Sequence, residues 1–163
     1  IRESFNVNFV SQFIITKEML KIRKKNSFVL FFAGGGVNNP TKYYSPYTIS
    51  KIALIKLVEL LDFEIKDSRF SIIGPGWVKT KIHKATLKSN HSGKNRELTK
   101  KKLKSKKLTS MEQIYNFFQW LYSQNKKVSS GRNFSVVHDK YNKFLQKKLF
   151  KNSNLFKLRR SGN

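Results

Sequence analysis

The chain has 163 residues, 34 Lys and Arg against 9 Asp and Glu, no cysteine, and a formal net charge of +25. A single domain fits that length, and 39% hydrophobic with 13% aromatic residues is enough for a packed core, which excludes disorder throughout. Disulfides, thiolate metal sites and thiol nucleophiles are excluded, and every apolar run falls short of the roughly 18 residues a membrane span needs.

In chain order, residues 3–22 carry Phe9, Phe13 and Leu20 on one side and basic residues near the end, which predicts a helix. Ser27–Phe32 is almost uniformly apolar, the pattern of a short strand buried on both faces. Ala33-Gly34-Gly35-Gly36 breaks it, a loop runs to Pro46, and a long helix is expected from Tyr47 to Ile65. Arg69–Ile73 is a second short strand, ended by Gly74-Pro75-Gly76. From Trp77 to Leu108 the chain is polar, lysine-rich and aperiodic, and is expected to be a loop or mobile lid. Thr109 with Glu112 forms a capping-box signature ahead of Met111, Ile114, Phe118 and Leu121 at helical spacing. A third strand is expected over Asn133–Val137. The tail from Tyr141 reads as partly helical, with a basic and poorly ordered end. Strands separated by helix-length segments imply right-handed crossovers and a parallel sheet.

Charge this high suggests a nucleic-acid partner, since lysines that neutralise phosphates release counterions. The densest run, Lys94 to Lys107, holds eight basic residues and Glu97. Removing it still leaves +18 spread along the chain. The 27 Lys outnumber the 7 Arg, whereas readers of bases and phosphates favour arginine. With 14 Asn, 12 Ile and only 3 Ala, AT-rich codon bias is the preferred explanation, and a nucleic-acid partner is not expected.

The most informative stretch is Tyr47-Thr48-Ile49-Ser50-Lys51, whose tyrosine and lysine share one helix face at i and i+4. Free tyrosine has a pKa near about 10 and is a poor base at neutral pH; a nearby ammonium stabilises the phenolate and lowers it. On spacing alone an exposed amphipathic pair is the usual meaning. Together with its surroundings, however, the segment resembles the short-chain dehydrogenase/reductase family from about Glu3 to Asp139. Tyr47-x-x-x-Lys51 is similar to that family's catalytic pair. Pro75-Gly76-Trp77-Val78-Lys79-Thr80 is similar to its PG-x-V-x-T turn, Asn6-Val7-Asn8 to its V-N segment, and Gly131 to Ser135 to the G-x-x-x-S entry of the last strand.

The resemblance implies hydride transfer between NAD or NADP and a carbonyl or alcohol substrate. Tyr47 would act as acid/base, and Lys51 would lower its pKa and hold the nicotinamide ribose. Asn8 would hold a relay water, while Pro75, Gly76, Val78 and Thr80 would seat the nicotinamide. It also implies the C-terminal half of a doubly wound Rossmann-type α/β sheet, three strands with flanking helices. Residues 1–139 would form the catalytic portion, with a substrate lid at 77–108 and a basic tail at 140–163.

Two departures stand out. The family's serine at the end of the central strand is replaced by Ala33-Gly34, and Ser45, two residues before Tyr47, reads as a loop residue. The glycine-rich cofactor turn of the first strand and helix has no counterpart, so the first βαβ half is expected to be absent and the chain to be a fragment. Alone, it is then expected to be poorly soluble through its open strand edge and not to bind a dinucleotide.

The 47–65 helix is apolar over more than one stripe, and a homodimer or homotetramer through it is expected. Basic residues in the lid allow an anionic substrate. His83, His91 and His138 lack ligand spacing, so no metal is expected, and neither is a membrane partner. No leader of secretory type is visible ahead of Ile1, and the expected compartment is cytoplasmic. A basic nucleic-acid-binding protein and a catalytically inactive family member are the alternatives.

Overall fold

The computed structural model describes residues 1–89, 92–105 and 107–160. His91, and Lys106 of the basic run, lie outside the described residues. The first helical stretch is α1 (Arg2–Phe5), a π turn (Asn6–Val10) and α2 (Ser11–Lys21), where one helix over 3–22 was expected. Next come β1 (Phe28–Phe32), α3 (Ser45–Glu64) and β2 (Arg69–Gly74). The strands form one parallel sheet in the order β1-β2-β3, with β3 at Arg132–Ser135; Phe32 pairs with Ile73, and Gly74 with Ser135. Their C-terminal ends therefore lie side by side. This is the α/β Rossmann-type arrangement expected from the sequence.

The runs of β1 and β2 are apolar on both faces because the sheet is packed on both. Phe31, Phe70 and Ile72 meet Leu54, Ile55, Val58 and Leu61 of α3, with Phe9 and Leu20 at the margin. Ile73 and Phe134 face the other way, onto Ile114, Phe117 and Leu121 of α6 (Met111–Ser123) and Leu149 of α8 (Lys143–Lys151). The other edge of β1 carries no strand among the described residues.

Three expectations are corrected. The 77–108 stretch holds two helices, α4 (His83–Lys88) and α5 (Lys94–Lys104). Its periodicity was masked because α5 is nearly all lysine and polar and buries only Thr99. The capping box of α6 is Ser110 with Gln113, since the Thr109 amide already donates to the Trp77 carbonyl at 2.8 Å and so closes the preceding loop. The tail is tied to the body as far as Arg159, and the last three residues, 161–163, lie outside the described residues. Buried Arg132, just after α7 (Lys126–Ser129), donates to the carbonyls of Lys127, Leu149, Asn152 and Leu155, and the Leu158 amide and Arg159 both bond to buried Glu59.

Candidate active site

The elements that carry Tyr47, Lys51 and Asn8 meet near the C-terminal end of β1. Helix α3 begins at Ser45, and Pro46 supplies a fixed φ suited to a first helical turn, so Ser45 is helical and exposed rather than a loop residue. Tyr47 and Lys51 follow one turn apart. The Lys51 Nζ donates to the carbonyl of Phe32, the last residue of β1, at 2.9 Å. The Tyr47 ring lies over Gly34: a Cβ built there would sit 2.3 Å from the Tyr47 hydroxyl oxygen and 2.7 Å from Cζ. This contact explains the missing serine in physical terms, since any side chain at 34 would displace the phenol.

Asn8 lies within the π turn. Such a turn fits an extra residue into a helix and re-aims the side chains on it. Its amide Nδ2 donates to the Ser50 hydroxyl at 3.1 Å, and that hydroxyl donates to the Tyr47 carbonyl at 2.7 Å. Fully buried Ser50 thus links Asn8 to the helix that carries Tyr47 and Lys51. Sequence reasoning passed over Ser50, although it stands within the Tyr47–Lys51 pentapeptide.

Burial, rather than mutual attraction, governs the two titrating groups. It pushes the Tyr47 phenol above its ordinary value, with Tyr44 adding to the rise, and it pushes the Lys51 ammonium down. With the lysine engaged at Phe32, the lowering of the phenol expected from the sequence is not what this arrangement produces.

The turn after β2 is shaped by a close approach. Gly76 has φ +76°, and a Cβ there would meet Val137 at 2.4 Å and the Thr109 hydroxyl at 2.7 Å, so glycine is required on both counts. Trp77 stacks on His83 with centroids 5.2 Å apart, and His83 Nε2 lies 2.8 Å from the Val78 carbonyl. Pro75 and Gly76 therefore sit at the strand end beside the Tyr47 cluster, whereas Val78 packs into the second core and Thr80 is exposed. The 77–108 stretch is joined to the loop before Tyr47 by a Tyr44–Thr86 hydroxyl bond and by Asn95 donating to the Lys42 carbonyl at 3.1 Å.

Among the described residues there is no cluster of three or more His, Asp or Glu able to hold a metal, and no helix long and apolar enough to cross a membrane.

A tyrosine–lysine pair and a π-turn asparagine near the C-terminal end of a parallel strand define the class: an α/β protein whose candidate site lies at the sheet's carboxyl edge, where open α/β sheets bind ligands. A family model described as Enoyl-(Acyl carrier protein) reductase matches residues 1–138, and the chain belongs to that family, within the short-chain dehydrogenases/reductases. No curated protein matches it. Two solved structures share its fold. One is titled a short-chain dehydrogenase/reductase, glucose/ribitol dehydrogenase, from Brucella melitensis (19% identity, TM-score 0.62, 79% of this chain and 51% of that one). The other is a short chain dehydrogenase from Salmonella enterica serovar Typhi strain CT18 (18% identity, TM-score 0.63, 82% of this chain and 51% of that one). The chain spans about half the length of either.

Proposed function

We propose that this chain carries the proton-transfer half of an NAD- or NADP-dependent oxidoreductase site that interconverts a carbonyl and an alcohol. The observation behind this reading is the bonded series Asn8–Ser50–Tyr47, which meets Lys51–Phe32 at the end of β1. A nicotinamide bound there would supply or accept the hydride. Pro75 and Gly76, which follow the end of β2 next to that of β1, would take the nicotinamide end, with Lys51 at the ribose and Thr80 and the backbone of Val78 near the carboxamide. A glycine-rich strand–turn–helix for the pyrophosphate is not among these 163 residues, so only that end is accounted for.

In the reducing direction a neutral phenol is the required donor, and burial keeps the Tyr47 proton in place at neutral pH. Tyr47 passes that proton to the substrate oxygen, while Lys51, held by the Phe32 carbonyl one helical turn away, is placed to bind the nicotinamide ribose. Asn8 and Ser50 fix the first turns of α3 and so the position of the phenol. The place of the missing side-chain donor is taken up by Tyr47 itself, which packs on Gly34.

The basic helix α5, joined through Asn95 to the loop before Tyr47, suits an anionic substrate, and exposed Ile49, Leu60 and Phe63 along α3 suit contact with a second copy.

The test is turnover of reduced nicotinamide over a panel of aldehydes and ketones by the natural protein carrying this sequence. Tyr47→Phe is expected to lower kcat by about 10²–10⁴-fold, the usual worth of a positioned acid. Full activity in that variant would overturn the reading.

A further inference from the structure

A second site, independent of the proposed chemistry, lies at the far end of α3. Lys51 and Phe63 are twelve residues apart, roughly 18 Å along the helix axis. Around Phe63, the last turns of α3, α7, the start of β3 and the tail line an open surface cleft of about 590 Å³. That volume is in the usual range for a small-molecule pocket. Seven lysines and arginines line it against two carboxylates, a surplus of five positive charges.

Both carboxylates are already committed. Glu59 accepts from the Leu158 amide at 2.6 Å, from Arg159 at 2.8 Å and from Lys56 at 3.0 Å. Asp62 pairs with Lys126 at 2.9 Å. Arg132 spends its two Nη groups on four backbone carbonyls, and its buried Nε has no hydrogen-bond partner among the described residues. Three ammonium groups remain: Lys66, Lys127 and Lys157 have no carboxylate partner among the described residues. Lys66 and Lys127 rest over the rings of Phe63 and Phe150, 4.8 and 3.9 Å from the centroids. Burial pushes the Lys157 ammonium below its ordinary value; Asp62 and Glu59 oppose this, while Arg132 and Arg159 reinforce it.

Lys157 is half-buried and Lys66 and Lys127 are exposed; cations grouped along one concave surface without carboxylate partners focus positive potential, which an anion relieves. A single carboxylate would neutralise one ammonium and leave the others. Lysines also act on phosphate as point charges from several directions, without the planar fork that selects a carboxylate. We propose that this cleft binds a small, multiply charged phosphate anion, with Lys66, Lys127 and Lys157 as its ligands. A free polyphosphate and the polyphosphate of a nucleotide share that chemistry.

The experiment is calorimetric titration of the natural protein carrying this sequence with inorganic tripolyphosphate at about 0.15 M salt, where long-range attraction between exposed charges is screened. The expected result is one anion bound per chain. Replacing Lys66, Lys127 and Lys157 together by Gln should weaken binding at least about tenfold, while the same three changed to Arg should retain it. Lys101→Gln, Lys102→Gln and Lys104→Gln on α5 should leave affinity within about twofold. A thermal melt of each variant checks that it folds. Tighter binding of ATP than of tripolyphosphate would identify a nucleotide as the source, and equal affinity a free polyphosphate; either supports the site. Absence of binding, or equal weakening by the two glutamine triples, overturns it. So does single-stranded RNA that binds more tightly than tripolyphosphate through the same three lysines.

Discussion

Gly34→Ala is the sharpest test of where the phenol sits. Gly34 has an ordinary negative φ, so alanine brings no backbone strain, and the whole effect is steric. Its Cβ would lie 2.3 Å from the Tyr47 hydroxyl oxygen and 2.8 Å from Cε1, where ordinary contact begins at 3.4 Å, so the phenol must withdraw by about 1.1 Å. Tyr44 packs edge-on against the Tyr47 ring at 6.4 Å and limits where it can go. Overpacking of this kind costs about 1–3 kcal/mol, and a reacting group misplaced by about 1 Å costs about 10²-fold in rate. Gly35→Ala is the control, because a Cβ there meets nothing within 4 Å. Thermal melts and nicotinamide turnover should separate the two variants, with the 34 variant impaired and the 35 variant close to wild type. Near-ultraviolet titration, taken as a difference from Tyr47→Phe, should show the phenol of the 34 variant ionising at lower pH as it leaves its buried position. Equal turnover and an unchanged titration in both variants would refute the placement of Tyr47 over Gly34.

Other consequences follow from the same contacts. Arg132→Met leaves four carbonyls without their charged donor and should cost about 3–5 kcal/mol in urea unfolding, the usual loss when a buried ionic group is removed from its partners. Amide exchange at Leu158 and Asn133, whose N–H groups bond to Glu59 and to the Phe156 carbonyl, should accelerate first. Burial pushes the Glu59 carboxyl up, but its bonds from Arg159, Leu158 and Lys56 outweigh this and hold it below the usual carboxylate range. The ionised form therefore stabilises the fold above an unfolded value of about 4.3, and that contribution disappears as pH falls through the lower folded value. Acid unfolding of Glu59→Gln should show a shallower pH dependence there. Because burial raises the Tyr47 phenol, reduction at this site should show no loss of the acid form below about pH 10, and a tyrosine-dependent fall well below that would contradict the buried position.

The strands were legible because Ser27–Phe32 and Arg69–Ile73 are covered on both faces, and uniform apolarity over five or six residues has few other meanings. Tyr47 and Lys51 were legible from spacing and context. The π turn was not, since Asn6-Val7-Asn8 differs in no residue preference from α-helix, and only the bond from Asn8 to Ser50 gives it a purpose. Helix α5 was hidden by lysines on nearly every side, which leave no apolar stripe to count. The packed tail was hidden differently: its anchor, Arg132, reads as an ordinary basic residue until the fold brings four carbonyls around it. The third strand stopped two residues before the expected Val137 because the Asp139 carboxylate accepts from the Ser135 amide and turns the chain.

The central claim is that this end of the sheet hands a proton to a carbonyl oxygen while its carbon receives a hydride. Isotope transfer tests it most directly. Reduced nicotinamide deuterated at its reactive carbon would be incubated with the natural protein carrying this sequence and a carbonyl panel, and the alcohol products examined by mass spectrometry. The account predicts one deuterium on the new carbinol carbon with the wild-type protein and loss of that product with Tyr47→Phe. Unlabelled alcohol, or labelled alcohol formed equally by both proteins, would contradict it.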